Sequence, residues 1–307
     1  MSTVATTTES ITKASRLHIY KPSFIGLVRG ELFKINRQLT TWIMLILFMG
    51  AIFLPYLIMF VESDIKDVIT APGDGYVYGR VAAGLALLRI FGGFVVMILT
   101  ARVIGQEYQL GTIRIVLARG IGRVQLLLAK LTAIGVWVIY LMVIGLALNA
   151  LLAITQVSIV TGNLNALTSL SSTVWYNLGI YILTILVSLA LTILMATAIT
   201  VLFRSFAGGL SASIAWFPAD NIIGVILIIA FALTQNDFWR NISAYLLGPN
   251  LNVMAGRVAN IQSRAWVFGE APLVTVDGNH TLLIALGYAV IFMLAAIVLT
   301  WKRDVKE

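Results

Sequence analysis

The chain contains no cysteine, which excludes a disulfide, a thiolate metal site and a cysteine nucleophile. It has only two histidines, His18 and His280, and they are too few for an imidazole-based metal cluster. Charge is also scarce. Asp, Glu, Lys and Arg make up 11% of the 307 residues, against about 25% in an ordinary soluble domain. The signature sequences of catalysis are missing as well. There is no Gly-x-x-x-x-Gly-Lys-Ser/Thr, so the chain has no phosphate-binding loop of its own, and there is no His-Glu-x-x-His or Gly-x-Ser-x-Gly. The Ser/Thr-rich start lacks the charged-then-apolar order of a cleavable signal peptide, and residues 1–20 read as a disordered tail.

Apolar residues are abundant, at 60% of the chain, with a mean hydropathy of +0.96. They come in runs of about 20, the length that carries a helix across about 30 Å of hydrocarbon. Lipid offers no water to backbone amides, so such runs must be helical. The expected fold is an all-α membrane protein with six spans, at about 42–61, 81–104, 126–153, 174–203, 207–233 and 281–301, within a transmembrane domain covering 41–307. Pro55 is expected to bend the first span. Pro218 and Asp220 leave open a five-span alternative in which the fifth run is re-entrant. Residues 235–280 are too charged to span and too apolar to be a plain loop, so they are expected to fold on the outer ends of the spans, with a short helix near 250–262. Asn241-Ile242-Ser243 and Asn279-His280-Thr281 are glycosylation sequons, but such short motifs are common by chance.

The net charge of +8 does not point to nucleic acid once its distribution is considered. Fifteen Lys and Arg residues fall on the side of the termini and of the second connection, against five on the other side. Membrane proteins keep such residues inside, which places both termini in the cytoplasm of a multi-pass protein of the cell membrane.

Residues 21–40 read as an amphipathic helix lying in the membrane interface, with Pro22 suited to its first turn. Phe24, Leu27, Val28, Leu32, Ile35 and Leu39 share one arc, and Arg29, Lys34 and Arg37 lie off it. Glu31 falls inside the apolar arc. It is either a buried polar anchor to the bundle or a wet residue on a rotated helix.

Two ionisable residues lie within spans, Arg89 in the second and Asp220 in the fifth. Each costs about 2.5–3.5 kcal/mol at mid-helix, so each should face protein or a wet cavity. At about 1.5 Å per residue they sit at similar depth and can form an ion pair. That pair would serve either a transport path or structure alone. The fifth span opens with the pairs Ala207/Ser211, Gly208/Ala212 and Gly209/Ser213, whose small size allows close helix approach inside the bundle or against a second copy.

The most polar internal stretch is Gln106–Lys130, QEYQLGTIRIVLARGIGRVQLLLAK. Gly111 can end the second helix, and Thr112 is a suitable N-cap for a short helix at 113–118. Ile113, Val116 and Leu117 give that helix an apolar side, and Arg114, Arg119 and Arg123 give it a basic rim. This describes either a protein-docking knob or a solvated loop carrying positive-inside charge.

The pattern Glu107-Tyr108-x-x-Gly111-Thr112-x-Arg114-x-x-Leu117-Ala118-x-x-x-x-Arg123-x-x-Leu126-x-x-x-Lys130 resembles the first cytoplasmic loop of type 2 ABC transporter permeases, the six-span membrane subunits of bacterial exporters. Arg29-Gly30-Glu31-Leu32, the turn at Arg204 and the apolar outer segments extend the likeness over nearly the whole chain. The resemblance implies that loop 106–122 is a coupling helix seated in a separate ABC ATPase, and that Glu107, Tyr108, Gly111, Thr112, Arg114, Leu117, Arg119 and Arg123 shape that contact. It implies two permease chains, identical or paralogous, with the substrate path between them. Glu31 matches an acidic residue of the family's interfacial helix. ATP and Mg²⁺ would bind the partner ATPase, so this chain itself needs no cofactor and is not an enzyme. The family's Pro-x-Ser/Thr-Arg before the third span is replaced here by Arg119-Gly120-Ile121-Gly122-Arg123. The expected substrate is lipid-like or amphipathic. The alternatives are a standalone secondary transporter or channel that uses Arg89 and Asp220, or a non-transporting membrane anchor.

Overall fold

The computed structural model describes residues 23–60, 65–70, 75–259 and 269–302. The proposed tail at 1–20, Pro22 and the acidic residues Glu62, Asp64 and Asp74 lie outside the described residues. Helices make up the described architecture, in the order α1 Phe24–Arg37, α2 Leu39–Phe60, α3 Ile65–Thr70, a π-helical turn Val77–Val81 running into α4 Ala82–Gln109, α5 Thr112–Ala118, α6 Arg123–Thr161, α7 Asn165–Thr168, α8 Ser172–Phe203, α9 Phe206–Thr234, α10 Asp237–Ile242, a 3₁₀ turn Ser243–Tyr245, α11 Leu247–Val258 and α12 Gly278–Lys302.

Six of these helices are long and apolar enough to cross a membrane: α2, α4 with its π-helical turn, α6, α8, α9 and α12. They outrun the expected spans because a helix need not end where the hydrocarbon ends. The third continues to Thr161, eight residues past the expected end at 153, and stops where Gly162 turns left-handed with φ 72°. The fifth run is one unbroken helix through Pro218, so it is not re-entrant. Pro55 likewise lies inside the continuous α2.

Within the bundle α8 is the most enclosed span, with 61% of its most apolar window buried against 17% for α9 and for α12. It packs on α4, α9 and α12, and α2 and α6 complete the core on the other side of α4. Phe48, Ile52, Leu88, Leu99, Ile134, Leu141, Ile185 and Leu189 are fully buried there. Polar side chains also cross between helices. Tyr56 donates to Asn149 at 2.9 Å, Tyr76 to Gln156 at 3.0 Å and Asn177 to Tyr78 at 3.0 Å. In lipid such bonds hold helices that have no hydrophobic drive to associate.

The small residues of α9 divide by face. Gly209 and Ser213 are buried, with Gly209 packed on Thr200 of α8, whereas Ala207 and Ser211 are exposed. The turn before them is made by Arg204 in a left-handed conformation (φ 53°), and the Ser205 hydroxyl caps α9 by accepting from the Gly208 amide at 3.0 Å.

Beyond α9 the chain turns back onto the bundle. The expected helix near 250–262 is present as α11, with α10 and the 3₁₀ turn before it, while 260–268 lie outside the described residues. Nine residues of α11 are buried, Leu247, Leu251 and Met254 among them, against α8, α9 and α12.

Candidate functional site

The site is built at the basic end of the bundle, where α1, α4, α5 and α6 converge. Helix α1 starts at Phe24, because Ser23 accepts the Gly26 amide at 3.1 Å. Its inward face carries Glu31 and Ile35, one turn apart, at 5% and 0% exposure. Gln38 then adopts an extended conformation and redirects the chain into α2. Two tryptophans fix that corner: Trp42 donates to the Asn36 carbonyl and Trp137 to the Asn36 side chain, each at 2.8 Å.

Glu31 belongs to a four-charge cluster. Lys130 of α6 sits 3.0 Å from Glu31 Oε2 and 3.0 Å from Glu107 Oε1, and its ammonium also donates to the Val103 carbonyl at 3.0 Å. All three of its donors are used. Lys34 closes the ring, at 2.8 Å from both Glu31 Oε1 and Glu107 Oε1. Two carboxylates and two ammonium groups balance. Each contact is worth about 6 kcal/mol of gross attraction at an effective dielectric of about 20, but burying Lys130 and Glu31 takes back most of that gain. The cluster therefore fixes geometry more than it adds stability. Burial opposes the charge on Lys34, but hydrogen bonds and attraction from Glu107 and Glu31 outweigh it, so the Lys34 pKa is raised above the ordinary lysine value. A cavity of about 290 Å³ adjoins the cluster, lined by Glu31, Lys34, Arg102, Glu107, Thr112 and Val116.

The short helix α5 projects from this base. Gly111, at φ 68°, ends α4 as its left-handed residue, and its amide donates to the Tyr108 carbonyl at 3.2 Å. Thr112 is not the N-cap. It is the first helical residue, and its hydroxyl turns back to the Glu107 carbonyl at 3.5 Å, because Gly111 already occupies the cap position. Ile113 is buried against Ile121 and Leu126, with Tyr108, Val116 and Leu117 packed beside them. The apolar side read from the sequence is thus the inner side. The outer apolar groups are Leu110 at 73% and Ile115 at 59% exposure, next to exposed Arg114 and Arg119. Arg123 stands at the start of α6 and reaches the Trp301 carbonyl at 3.5 Å.

The sequence-predicted residues therefore separate by position. Gly111, Thr112, Arg114 and Arg119 lie on the projecting loop, Tyr108, Leu117 and Arg123 in the wall beneath it, and Glu107 and Glu31 in the charge cluster. Lys34 and Lys130 join the cluster, and Leu110 and Ile115 the exposed surface, through the tertiary structure. The spacing of Glu31 and Lys34 by three on a helix was a signal for the first pair. Nothing in the sequence marked Leu110 and Ile115 as the outward ones.

Arg89 and Asp220 do not pair among the described residues. Arg89 donates to the Leu251 carbonyl and, at 3.2 Å, to Asn252 Oδ1, whereas Asp220 accepts from the Gly248 amide. Both therefore hold α11. No group of three or more His, Asp or Glu side chains that could hold a metal occurs among the described residues.

Six membrane-capable helices, an ion-paired helix α1 and a basic loop projecting between α4 and α6 define a polytopic membrane protein. The model of the ABC-2 family transporter protein matches residues 27–219, more than half of the chain, and the chain belongs to that family. It is accordingly a multi-pass permease component of an ABC transporter, a membrane transport subunit. A comparison with characterised proteins gave no significant match.

Proposed function

We propose that this chain is the permease of an ATP-driven exporter that works as a dimer, with both termini in the cytoplasm of a cell-membrane protein and loop 106–122 inserted into a separate ATPase. The observation that carries this reading is the Glu31–Lys34–Glu107–Lys130 cluster. It joins α1 to the last turn of α4 and the first turns of α6, the two helices that flank α5. A push or pull on α5 is thereby delivered to α4, α6 and α1 as one body. Closure of two ATP-loaded partners would move both loops and switch the bundle between inward and outward states. Leu110 and Ile115 supply the apolar centre of the contact, and Arg114 and Arg119 its basic rim.

The relay alternative gains nothing from the geometry, because Arg89 and Asp220 each bind α11 instead of each other. Affinity purification in mild detergent, followed by mass spectrometry and an ATPase assay, tests the proposal. The expected result is co-purification of a P-loop ATPase that is lost in the Leu110→Asp, Ile115→Asp double variant while the permease keeps its thermal midpoint. A wild-type chain that purifies without any ATPase and without ATPase activity overturns it.

A further inference from the structure

The proposal below rests on the exporter reading and concerns what is carried. A cavity of about 170 Å³ lies among α4, α8, α9 and α11, inside the membrane-spanning bundle. Its polar lining includes Arg89, Ser188, Asn221 and Asn252, and Phe94 and Phe217 contribute to its apolar lining. Phe94 is 41% exposed, so the cavity reaches the apolar outer face of α4.

The charge of Arg89 is the unexplained feature. Its two hydrogen bonds go to a carbonyl and to an amide oxygen, both neutral. Neutral acceptors need no positive donor, yet a full positive charge is kept mid-span, where it is costly. No carboxylate pairs with it among the described residues. A guanidinium has five N–H donors in a planar fork, and two are engaged among the described residues. On the α9 side Asn221 donates to the Phe217 carbonyl at 2.9 Å, and its Oδ1 is buried without a partner among the described residues. That oxygen can accept from a protonated or hydroxyl-bearing head.

We infer that this cavity binds the head of an amphipathic anion, with Arg89 supplying the charge-assisted hydrogen bonds and the aromatic rim receiving the start of an apolar tail. Its volume is below the roughly 300–1,000 Å³ of pockets that engulf a whole ligand. The head enters, therefore, and the tail stays on the apolar face beside Phe94. The same chemistry is offered by a phosphate-headed lipid and by a free fatty carboxylate.

The test is displacement of cis-parinarate fluorescence from the purified wild-type chain at pH 8. Tetradecyl phosphate is expected to displace the probe at concentrations at least tenfold below those of tetradecanol or tetradecyl trimethylammonium. Arg89→Gln should abolish that preference, and Arg89→Lys should retain part of it. Oleoyl lysophosphatidate and oleate, titrated in parallel, distinguish the two sources, with the tighter competitor naming the head. Ser188→Leu fills the cavity without altering its charge and should weaken both anions tenfold, which keeps the site testable if Arg89→Gln fails to fold. Equal displacement by tetradecanol and tetradecyl phosphate on the wild-type chain overturns the inference. Capture of the ATPase is scored separately. A wild-type chain that shows no anion preference but still binds the ATPase sinks this site alone, and a wild-type chain that prefers the anions but never captures an ATPase sinks the exporter reading alone.

Discussion

Lys130 Nζ lies 3.0 Å from Glu31 Oε2, across 99 residues of sequence, and its side chain is 3% exposed. This contact fastens helix α1 to the root of a membrane-capable helix. A carboxylate in the apolar arc of α1 is met there by an ammonium from α6 as well as by Lys34 on its own helix.

Removing that ammonium should therefore be costly. In Lys130→Met, Glu31 and Glu107 are left to share Lys34. Breaking a buried pair from one side costs about 3–5 kcal/mol, and the remaining lysine brings the expected loss toward the lower figure. A clear drop in the thermal midpoint in detergent is the expected outcome. A double-mutant cycle with Glu31→Gln should show coupling above about 0.5 kcal/mol, since the two share one network. Additive losses would mean that α1 is not held by this contact.

The cluster also sets an alkaline limit. The Lys34 pKa is raised in the folded chain. A group whose folded pKa is raised contributes its full stabilisation below its unfolded value, about 10.4 for lysine, and loses it as pH rises through the folded value. The grip of Lys34 on α4 should thus be unchanged by its own titration between neutral pH and about pH 10 and weaken above that. A disulfide cross-link between cysteines introduced in α1 and α4 can report it, because the chain has no cysteine of its own. Cross-linking that falls at strongly alkaline pH in wild type, with no such step in Lys34→Gln, is the expected pattern.

Helix α11 should respond to its two clamps independently. Asp220→Ala removes the acceptor for the Gly248 amide, a buried hydrogen bond to a charged group worth about 1.5–3 kcal/mol. Arg89→Ala removes the donors to Leu251 and Asn252 at other points of the same helix. Stability losses in the double variant should equal the sum of the single ones to within about 0.5 kcal/mol. A strong negative deviation would show a direct interaction between the two side chains.

Gly105 tests the packing beneath the projecting loop. A Cβ placed there would meet the backbone of Phe206 at 2.8 Å, and backbone cannot step aside as a side chain can. Gly105→Ala should push the start of α9 away from α4 and destabilise the chain by about 1–3 kcal/mol. A thermal midpoint equal to wild type would show that the turn at Arg204–Ser205 yields freely.

The site was only partly legible in the sequence. Gly111 was readable as the end of the second helix, since a left-handed residue there has a strong local preference. Thr112 was misplaced by one position, because Gly111 takes the cap and the hydroxyl is left to bond backward to Glu107. The inner side of α5 was readable from Ile113, Val116 and Leu117, but the degree to which each apolar residue is covered was not. Ile113 and Ile115 are equally apolar, and only the packing of Ile121 and Leu126 decides which is buried.

Local terms written into the residues themselves determined the class of this protein. Six long apolar runs with almost no charge must be helices in lipid, and the skew of Lys and Arg suggests their direction, because both follow from transfer energies that each segment carries alone. The tertiary structure decided where the charges meet. Arg89 and Asp220 bind different points of α11 rather than each other, and Lys34 and Lys130 close a ring around Glu31 and Glu107. An ion pair depends on a few ångströms between side chains far apart in the chain, and that distance is fixed only when helices pack.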